Sequence, residues 1–118
     1  MRNFRDLEVW TLSRSMVKEV YFLMKTMPDE EKFGLTSQIK RSVISIPSNI
    51  AEGCAKKSNK DFSRYLEISL GSCYELETQL ILNSDVKLIP VEIIEEKVIL
   101  LQTLERKITS FINYLATQ

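Results

Sequence analysis

Histidine is absent from this chain, and glycine, proline, cysteine and tryptophan are scarce. Its 118 residues include three glycines, three prolines, two cysteines and one tryptophan. Without histidine there is no imidazole to act as a general base, to activate a serine or cysteine nucleophile, or to ligate a metal. Two cysteines cannot complete a structural zinc site, and no glycine-rich phosphate loop is present. We therefore predict a protein with no enzymatic activity, no metal and no cofactor.

The scarcity of turn-forming residues favours long helices in a single domain spanning residues 1–118. Hydrophobic residues make up 44% of the chain and charged residues 27%, which is typical of one folded domain. No apolar run approaches the roughly 20 residues that cross a bilayer, and residues 1–6 lack the apolar core of a signal peptide. We expect a cytoplasmic protein without a membrane partner. Cys54 and Cys73 suit that compartment as free thiols, although a bridge between them stays open.

Four amphipathic segments predict an all-α fold. Apolar residues recur at steps of three and four from about Asp6 to Met27, and again from Leu35 to Gly53. A third segment follows a cap at Ser58 and ends near Asp85, and the fourth begins at Pro90 and carries its stripe to residue 115. Because the connections are short, we expect an up-down-up-down antiparallel four-helix bundle.

Three residues inside these segments disfavour a helix and are therefore informative. Pro47 lies within the second segment, where an interior proline costs roughly 3 kcal/mol, so we predict a bend there or a division into two helices. We expect Gly53 to end the second helix in a left-handed conformation. Gly71 costs about 1 kcal/mol relative to alanine, and we expect it to permit close approach of another helix.

The net charge is zero, but the charges are unevenly distributed. Residues 65–118 are rich in acidic side chains, whereas positive charge gathers between residues 40 and 64. Such a cluster can grip the phosphates of a nucleic acid, form a solvated face, or pair with acidic helices across an interface. Its members are Lys40, Arg41, Lys56, Lys57, Lys60 and Arg64.

The fourth segment has more apolar surface than one bundle core requires. Ile93, Ile99, Leu100 and Ile112 lie beside its main stripe. An apolar excess on a short helical protein is typical of a partner face. The alternative is a fourth helix with broad contacts inside its own bundle.

Motifs along the whole chain resemble the four-helix-bundle proteins encoded within 23S rRNA intervening sequences, often called S23 ribosomal proteins. The stretches that carry the resemblance are 4–10 (FRDLEVW), 33–42 (FGLTSQIKRS), 45–53 (SIPSNIAEG) and 70–80 (LGSCYELETQL). The resemblance implies a helical bundle that assembles as a ring, expected to be a homopentamer. It also implies a distant relation to the accessory variability determinant proteins of diversity-generating retroelements, which bind nucleic acid and a reverse transcriptase. Those relatives are strongly basic, whereas this chain has a pI of 6.3.

The resemblance also singles out particular residues. Arg41, Lys60 and Arg64 are the basic positions that best match the family pattern. Apart from the resemblance, the small residues that flank Glu52 and Glu75 lead us to expect that these two glutamates meet basic residues across a subunit boundary. Our leading hypothesis is an oligomeric protein that binds 23S rRNA or its precursor, and the alternative is a protein scaffold that docks through its first and fourth helices. We expect roles in an oligomer interface or a structural motif for Pro47, Asn49, Glu52, Gly53, Gly71 and Glu75.

Overall fold

A computed structural model describes residues 2–118, which form a bundle of four long helices and two short 3₁₀ helices without a strand. Each long helix contacts the next in the chain, and α1 also contacts α4, so the bundle closes on itself. It measures 46 × 22 × 19 Å. The predicted all-α up-down-up-down bundle is confirmed. The elements in chain order are a 3₁₀ helix Phe4–Asp6, α1 Glu8–Met24, a 3₁₀ helix Asp29–Glu31, α2 Leu35–Cys54, α3 Asn59–Asp85 and α4 Val91–Ala116.

The apolar stripes of the four helices face one another and form the core. In α3 the fully buried positions alternate steps of four and three, as the sequence predicts. The two cysteines, Cys54 and Cys73, are buried as free thiols, so the bridge left open above does not form. The apolar seam of α3 consists of Phe62, Leu66, Cys73, Leu76 and Leu80.

The first helix is shorter at both ends than its apolar pattern predicts. Leu7 has an extended backbone (φ −84°, ψ 127°) and separates the 3₁₀ turn from α1. At the other end, the Thr26 hydroxyl donates a hydrogen bond to the Leu23 carbonyl (2.8 Å) in the turn that follows α1. Local hydrogen bonds of this kind compete with continuation of the helix, and they cannot be predicted from the spacing of apolar residues.

The start of α3 is capped as predicted on one side only. The Ser58 hydroxyl accepts a hydrogen bond from the Asp61 amide at 3.1 Å. The Asp61 carboxylate lies 3.8 Å from Arg64 Nη1 and does not complete a capping box. Ser58 therefore caps α3 through the Asp61 amide, without a hydrogen bond from the Asp61 side chain.

Pro47 lies inside α2 and does not divide it, so the alternative of two separate helices is wrong. Polar side chains satisfy carbonyls around the proline: the Ser45 hydroxyl donates to the Arg41 carbonyl (3.1 Å), and the Asn49 amide donates to the Ser45 carbonyl (2.8 Å). Pro47 lacks the amide proton that would bond to the Val43 carbonyl, and α2 nevertheless continues past it as one helix. A bend of the helix axis at Pro47 stays a prediction.

The two helical glycines have roles that differ from those predicted. Gly53 lies within α2 and does not adopt a left-handed conformation. A Cβ atom at Gly53 would lie 2.7 Å from Tyr65 Cβ and 2.9 Å from a ring carbon of Phe62. At Gly71, which is exposed, an added Cβ would meet nothing within 4 Å. Close helix packing therefore requires glycine at position 53, and within this chain it does not require glycine at position 71.

Hydrogen bonds donated by serine hydroxyls reinforce the contact between α2 and α3, the most extensive in the bundle. The Ser69 hydroxyl donates to the Ile46 carbonyl at 2.9 Å in a fully buried setting. The Ser42 hydroxyl donates to the Glu75 carboxylate at 2.9 Å. Two helices that approach this closely bury polar groups, and these bonds satisfy them.

Asn83 ties together the two connections at the far end of the bundle. Its side chain is fully buried, accepts a hydrogen bond from the Ile89 amide (3.0 Å) and donates to the Met27 sulfur (3.2 Å). The Asn83 carbonyl also accepts from the Leu88 amide, which closes α3 with Lys87 in the left-handed region (φ 61°). The Asn83 side chain therefore holds the α1–α2 connection and the α3–α4 connection together at this end of the bundle.

Glu105 on α4 is a buried carboxyl group beside Glu77 on α3. Its side chain is only 9% exposed, and its Oε2 atom has no hydrogen-bond partner among residues 2–118. Burial, followed by a hydrogen bond and repulsion from Glu77, raises the pKa of Glu105 to about 8, against the weaker opposing effect of Arg106. Glu105 therefore keeps its proton in the folded protein at neutral pH.

We predict opposite effects of alanine at the two glycines. Gly53→Ala should lower the free energy of unfolding by about 1–3 kcal/mol, because the new methyl group collides with α3. Gly71→Ala, measured on the single dissociated chain, should raise it by about 0.5–1 kcal/mol, since alanine favours the helix and the position is open within the chain. Urea unfolding followed by circular dichroism measures both. Equal effects of the two substitutions would contradict the assigned close contact.

We also predict that Glu105 makes the fold less stable as pH rises. Between the ordinary glutamate pKa of 4.5 and about 8, the folded state retains a proton that the unfolded state has lost. The contribution of this group to stability therefore falls through that window and is constant above it. Glu105→Gln should flatten the decline, as urea unfolding at pH 5, 7 and 8 would reveal. Glu95→Gln, an exposed change on the same helix, is the control and should leave the decline intact.

Candidate nucleic-acid interface

Four of the predicted basic residues meet where α2 ends and α3 begins. Lys56 and Lys57 lie in the short turn between these helices, and Lys60 and Arg64 lie on the first two turns of α3. All four side chains are exposed. The only ion pair among them joins Arg64 to Asp61 at 3.8 Å, and both of those side chains are more than half exposed. Such a pair is weak, so the positive charge remains available to a ligand.

Arg2 joins this cluster, although the sequence did not single it out. Its guanidinium donates hydrogen bonds to the Lys56 carbonyl (2.9 Å) and to the Asn59 side chain, and lies 4.3 Å from the centroid of the Phe62 ring. An open pocket of about 440 Å³ is lined by Arg2, Ala55, Lys56 and Lys57. The basic end, as we call it below, comprises Arg2, Lys56, Lys57, Lys60 and Arg64.

The topology of the bundle could have predicted that Arg2 lies near the α2–α3 turn. In an up-down bundle, the start of α1 lies beside the end of α2, so residues before α1 meet the α2–α3 turn. Counting charges along the sequence does not reveal the role of Arg2. Within residues 1–39, the acidic side chains of residues 29–31 offset the positive charge of the N-terminal arginines. In the structure those acidic residues lie at the opposite end of the bundle, near Met27 and its partner Asn83.

The aromatic rings of the basic end are already occupied. Phe62 is fully buried, packs edge-on against Phe111 at 5.4 Å between centroids, and offers its face to Arg2. Tyr65 is half-buried, with Lys56 Nζ 5.1 Å from its centroid. The site therefore offers mainly cations, because Phe62 is buried and one face of Tyr65 already has a lysine beside it.

Lys40 and Arg41 lie apart from the basic end. Fifteen residues of largely helical chain separate Arg41 from Lys56, a distance of about 22 Å along the α2 axis. Lys40 Nζ lies 4.9 Å from the centroid of the Tyr21 ring on α1. The predicted six-residue patch is therefore two groups, and one compact ligand cannot touch both.

The remaining predicted site residues lie mainly along the contact of α2 with α3. Glu75 accepts its hydrogen bond from Ser42 of the same chain, and Glu52 is exposed. Asn49 is bonded within α2, and Gly53 is buried against α3. Gly71 faces outward on α3. Contact of Glu52 or Glu75 with a neighbouring subunit stays a prediction.

The cysteines are poorly suited to nucleophilic chemistry. Burial raises the pKa of the Cys54 thiol, with Arg2 acting against that shift. Burial, together with the carboxylates of Glu105 and Glu77, raises the pKa of Cys73 to about 12. Both thiols therefore stay protonated at neutral pH. Residues 2–118 contain no group of three or more acidic or cysteine side chains placed to hold a metal ion.

None of the helices formed by residues 2–118 combines the length and the apolar character needed to cross a membrane.

Comparisons with known proteins place this geometry in a family. A crystal structure of a protein of unknown function from the S23 ribosomal protein family of Bacteroides thetaiotaomicron superposes with a TM-score of 0.81 at 30% sequence identity, covering 88% of this chain and 97% of that one. No curated protein matches the chain. The family model described as 23S rRNA-intervening sequence protein matches residues 5–110. The chain therefore belongs to the 23S rRNA-intervening sequence protein family.

Proposed function

We propose that this chain is a non-enzymatic, oligomeric RNA-binding protein that contacts 23S rRNA or its precursor through its basic end. The observation that carries the proposal is that Arg2, Lys56 and Lys57 line one open pocket of about 440 Å³, while Lys60 and Arg64 lie on the first two turns of the helix that follows it. RNA of this kind would also place the protein in the cytoplasm.

The charge balance favours phosphate groups as the ligand. Asp61, Glu67 and Glu52 are the acidic residues closest in sequence to the four basic residues at the α2–α3 junction, and Asp61 is held only loosely by Arg64. A net positive surface around a concave site attracts a polyanion and concentrates it. Each phosphate that displaces counterions adds a salt-dependent contribution to binding.

The same site favours the backbone of the RNA over its bases. Phe62 is buried and Tyr65 has Lys56 beside its ring, so the cations are more accessible to a ligand than the aromatic faces. Lysine presents a flexible point charge, which suits phosphates and carries little base specificity. Recognition would then follow the shape of a folded RNA rather than its sequence.

The family name supports 23S rRNA as the RNA concerned, because it describes a 23S rRNA-intervening sequence protein. The structural neighbour supports the fold of this chain. It gives no information on activity, since its own function is unknown. A distant relation to the determinant proteins of retroelements stays a hypothesis.

We further propose that the chain assembles as a homopentameric ring. Gly71, exposed on α3 with no neighbour within 4 Å, leaves room for a second helix to approach. The outer faces of α2 and α3 would supply this ring contact, with Glu52 beside it. A ring repeats the basic end around its axis and so multiplies a field that is weak in one neutral chain.

The alternative function is a protein scaffold that docks through α1 and α4. Phe22 on α1 is 74% exposed and Ile99 on α4 is 62% exposed. Exposed apolar side chains of this size on a small bundle are typical of a protein interface. This reading predicts little response to RNA.

We predict that neutralising the basic end weakens RNA binding and flattens its salt dependence. Fluorescence anisotropy with labelled 23S rRNA hairpin fragments, repeated across a salt series, measures both. Lys56→Ala/Lys57→Ala/Lys60→Ala should reduce the slope of log affinity against log salt by up to about 2–3, since each phosphate contact contributes about 0.7–0.9.

The matched control removes the same charge elsewhere. Lys18, Lys25 and Lys32 are exposed and lie outside the basic end, so their triple alanine variant should keep the wild-type slope. An equal reduction of the slope in the two variants would show that only the net charge of the protein matters, and it would contradict the assignment of the basic end as the RNA site. No binding by the wild type at low salt would instead favour the scaffold.

A further inference from the structure

We propose that the pocket at the basic end binds the terminal phosphate of an RNA, a phosphate monoester, in preference to the phosphodiesters inside the strand. The pocket has a volume of about 440 Å³ and is lined by Arg2, Ala55, Lys56 and Lys57. This inference rests on the proposed function, because it names the part of the RNA that the basic end holds. The proposed function itself requires only that RNA phosphates of some kind are bound there.

The lining of the pocket carries positive charge alone. Arg2, Lys56 and Lys57 are cationic, and Ala55 is neutral. None of the three cations belongs to a salt bridge within residues 2–118. The volume falls within the range of about 300–1,000 Å³ that is usual for pockets that bind small ligands. The pocket is therefore suited to a compact anionic group.

Arg2 is the fixed cation of the pocket. Its guanidinium donates hydrogen bonds to the Lys56 carbonyl (2.9 Å) and to the Asn59 side chain, and it lies 4.3 Å from the centroid of the Phe62 ring. Its other N–H groups have no hydrogen-bond partner within residues 2–118. A guanidinium that is already held in place loses little freedom when a ligand binds, so more of the binding energy is retained.

The two lysines complement this fixed group. Lys56 and Lys57 are exposed, and each carries its charge on a flexible stem. Their ammonium groups can therefore approach a ligand from the solvent side while Arg2 contacts it from the protein side. One fixed cation and two adjustable ones can each reach a different oxygen of the same phosphate.

A terminal phosphate matches this set of cations better than a phosphodiester does. It presents three strong acceptor oxygens and carries about 1.5–2 negative charges at neutral pH. A phosphodiester has fewer free oxygens, carries a single charge and is flanked by a sugar on both sides. The end of a strand can also enter a concave site, whereas the interior of a strand would have to leave it again. The pocket should therefore distinguish RNA ends from RNA interiors.

Lys60 and Arg64 provide the contrast within the basic end. They lie on the first two turns of α3 and do not line the pocket. Phosphodiesters next to the bound end can reach them, and such contacts do not depend on the chemistry of the end itself. These two residues should add affinity for RNA without adding preference for a terminal phosphate.

Matched RNA hairpins that differ only at their ends test the proposal. A fluorophore in the loop leaves both ends free, and the hairpin carries hydroxyls at both ends, a 5′ phosphate or a 3′ phosphate. In fluorescence anisotropy at low salt, we expect a phosphorylated hairpin to bind about 10-fold tighter than the hydroxyl form. The end that gives the tighter binding identifies the source of the phosphate. Lowering the pH from about 7 to about 5 should reduce this ratio, because the second pKa of the phosphate is about 6.

Substitutions then locate the preference in the pocket. Arg2→Gln should remove most of the ratio between phosphorylated and hydroxyl hairpins. Arg2→Lys keeps the charge but loses the planar fork, so it should reduce the ratio in part. Lys60→Gln should weaken binding of both hairpins by the same factor and so keep the ratio. Circular dichroism checks that each variant folds.

The outcomes separate this inference from the proposed function. Equal affinities of the wild type for phosphorylated and hydroxyl hairpins would overturn the terminal-phosphate site and leave RNA binding by the basic end in place. A ratio that persists in Arg2→Gln, that does not fall at low pH, or that Lys60→Gln reduces as strongly as Arg2→Gln does, would also overturn it. If the wild type bound no hairpin even at low salt, both proposals would be wrong.

Discussion

The close approach of α2 to α3 at Gly53 is the constraint on which the rest of the molecule depends. A Cβ atom at this position would lie 2.7 Å from Tyr65 Cβ, so only glycine lets the last turn of α2 lie against the first turns of α3. The connection can then be four residues long, and Ser58 caps the new helix at once. Lys56 and Lys57 are consequently held beside the start of α3 instead of being spread along a longer loop.

The same arrangement places positive and negative side chains at opposite ends of a bundle whose net charge is zero. Cations collect where α2 meets α3, whereas the connection before α2 carries Asp29, Glu30 and Glu31 at the other end of a 46 Å bundle. Arg2 completes the positive end by bonding to the Lys56 carbonyl. A net charge of zero therefore says little about local affinity for a polyanion, because binding responds to the field near the site.

Much of the fold follows from the sequence, and less of the site does. Apolar spacing identifies four helices and the faces they bury, but it records the direction of a side chain and not the distance between helix axes. For that reason it assigned close packing to Gly71 instead of Gly53. Arg2 was missed because its neighbours come from distant parts of the chain. Glu105 looked like an ordinary polar residue, and only the packing of α3 against α4 makes it buried and protonated.

Lysine footprinting would test the central claim, that the basic end holds RNA phosphates, most directly. The protein is acetylated with and without a 23S rRNA hairpin at low salt, and mass spectrometry reports the protection of each lysine. Our account predicts protection of Lys56, Lys57 and Lys60, with Lys25 and Lys32 unchanged. Protection spread evenly over the chain, or confined to lysines outside the basic end, would contradict it.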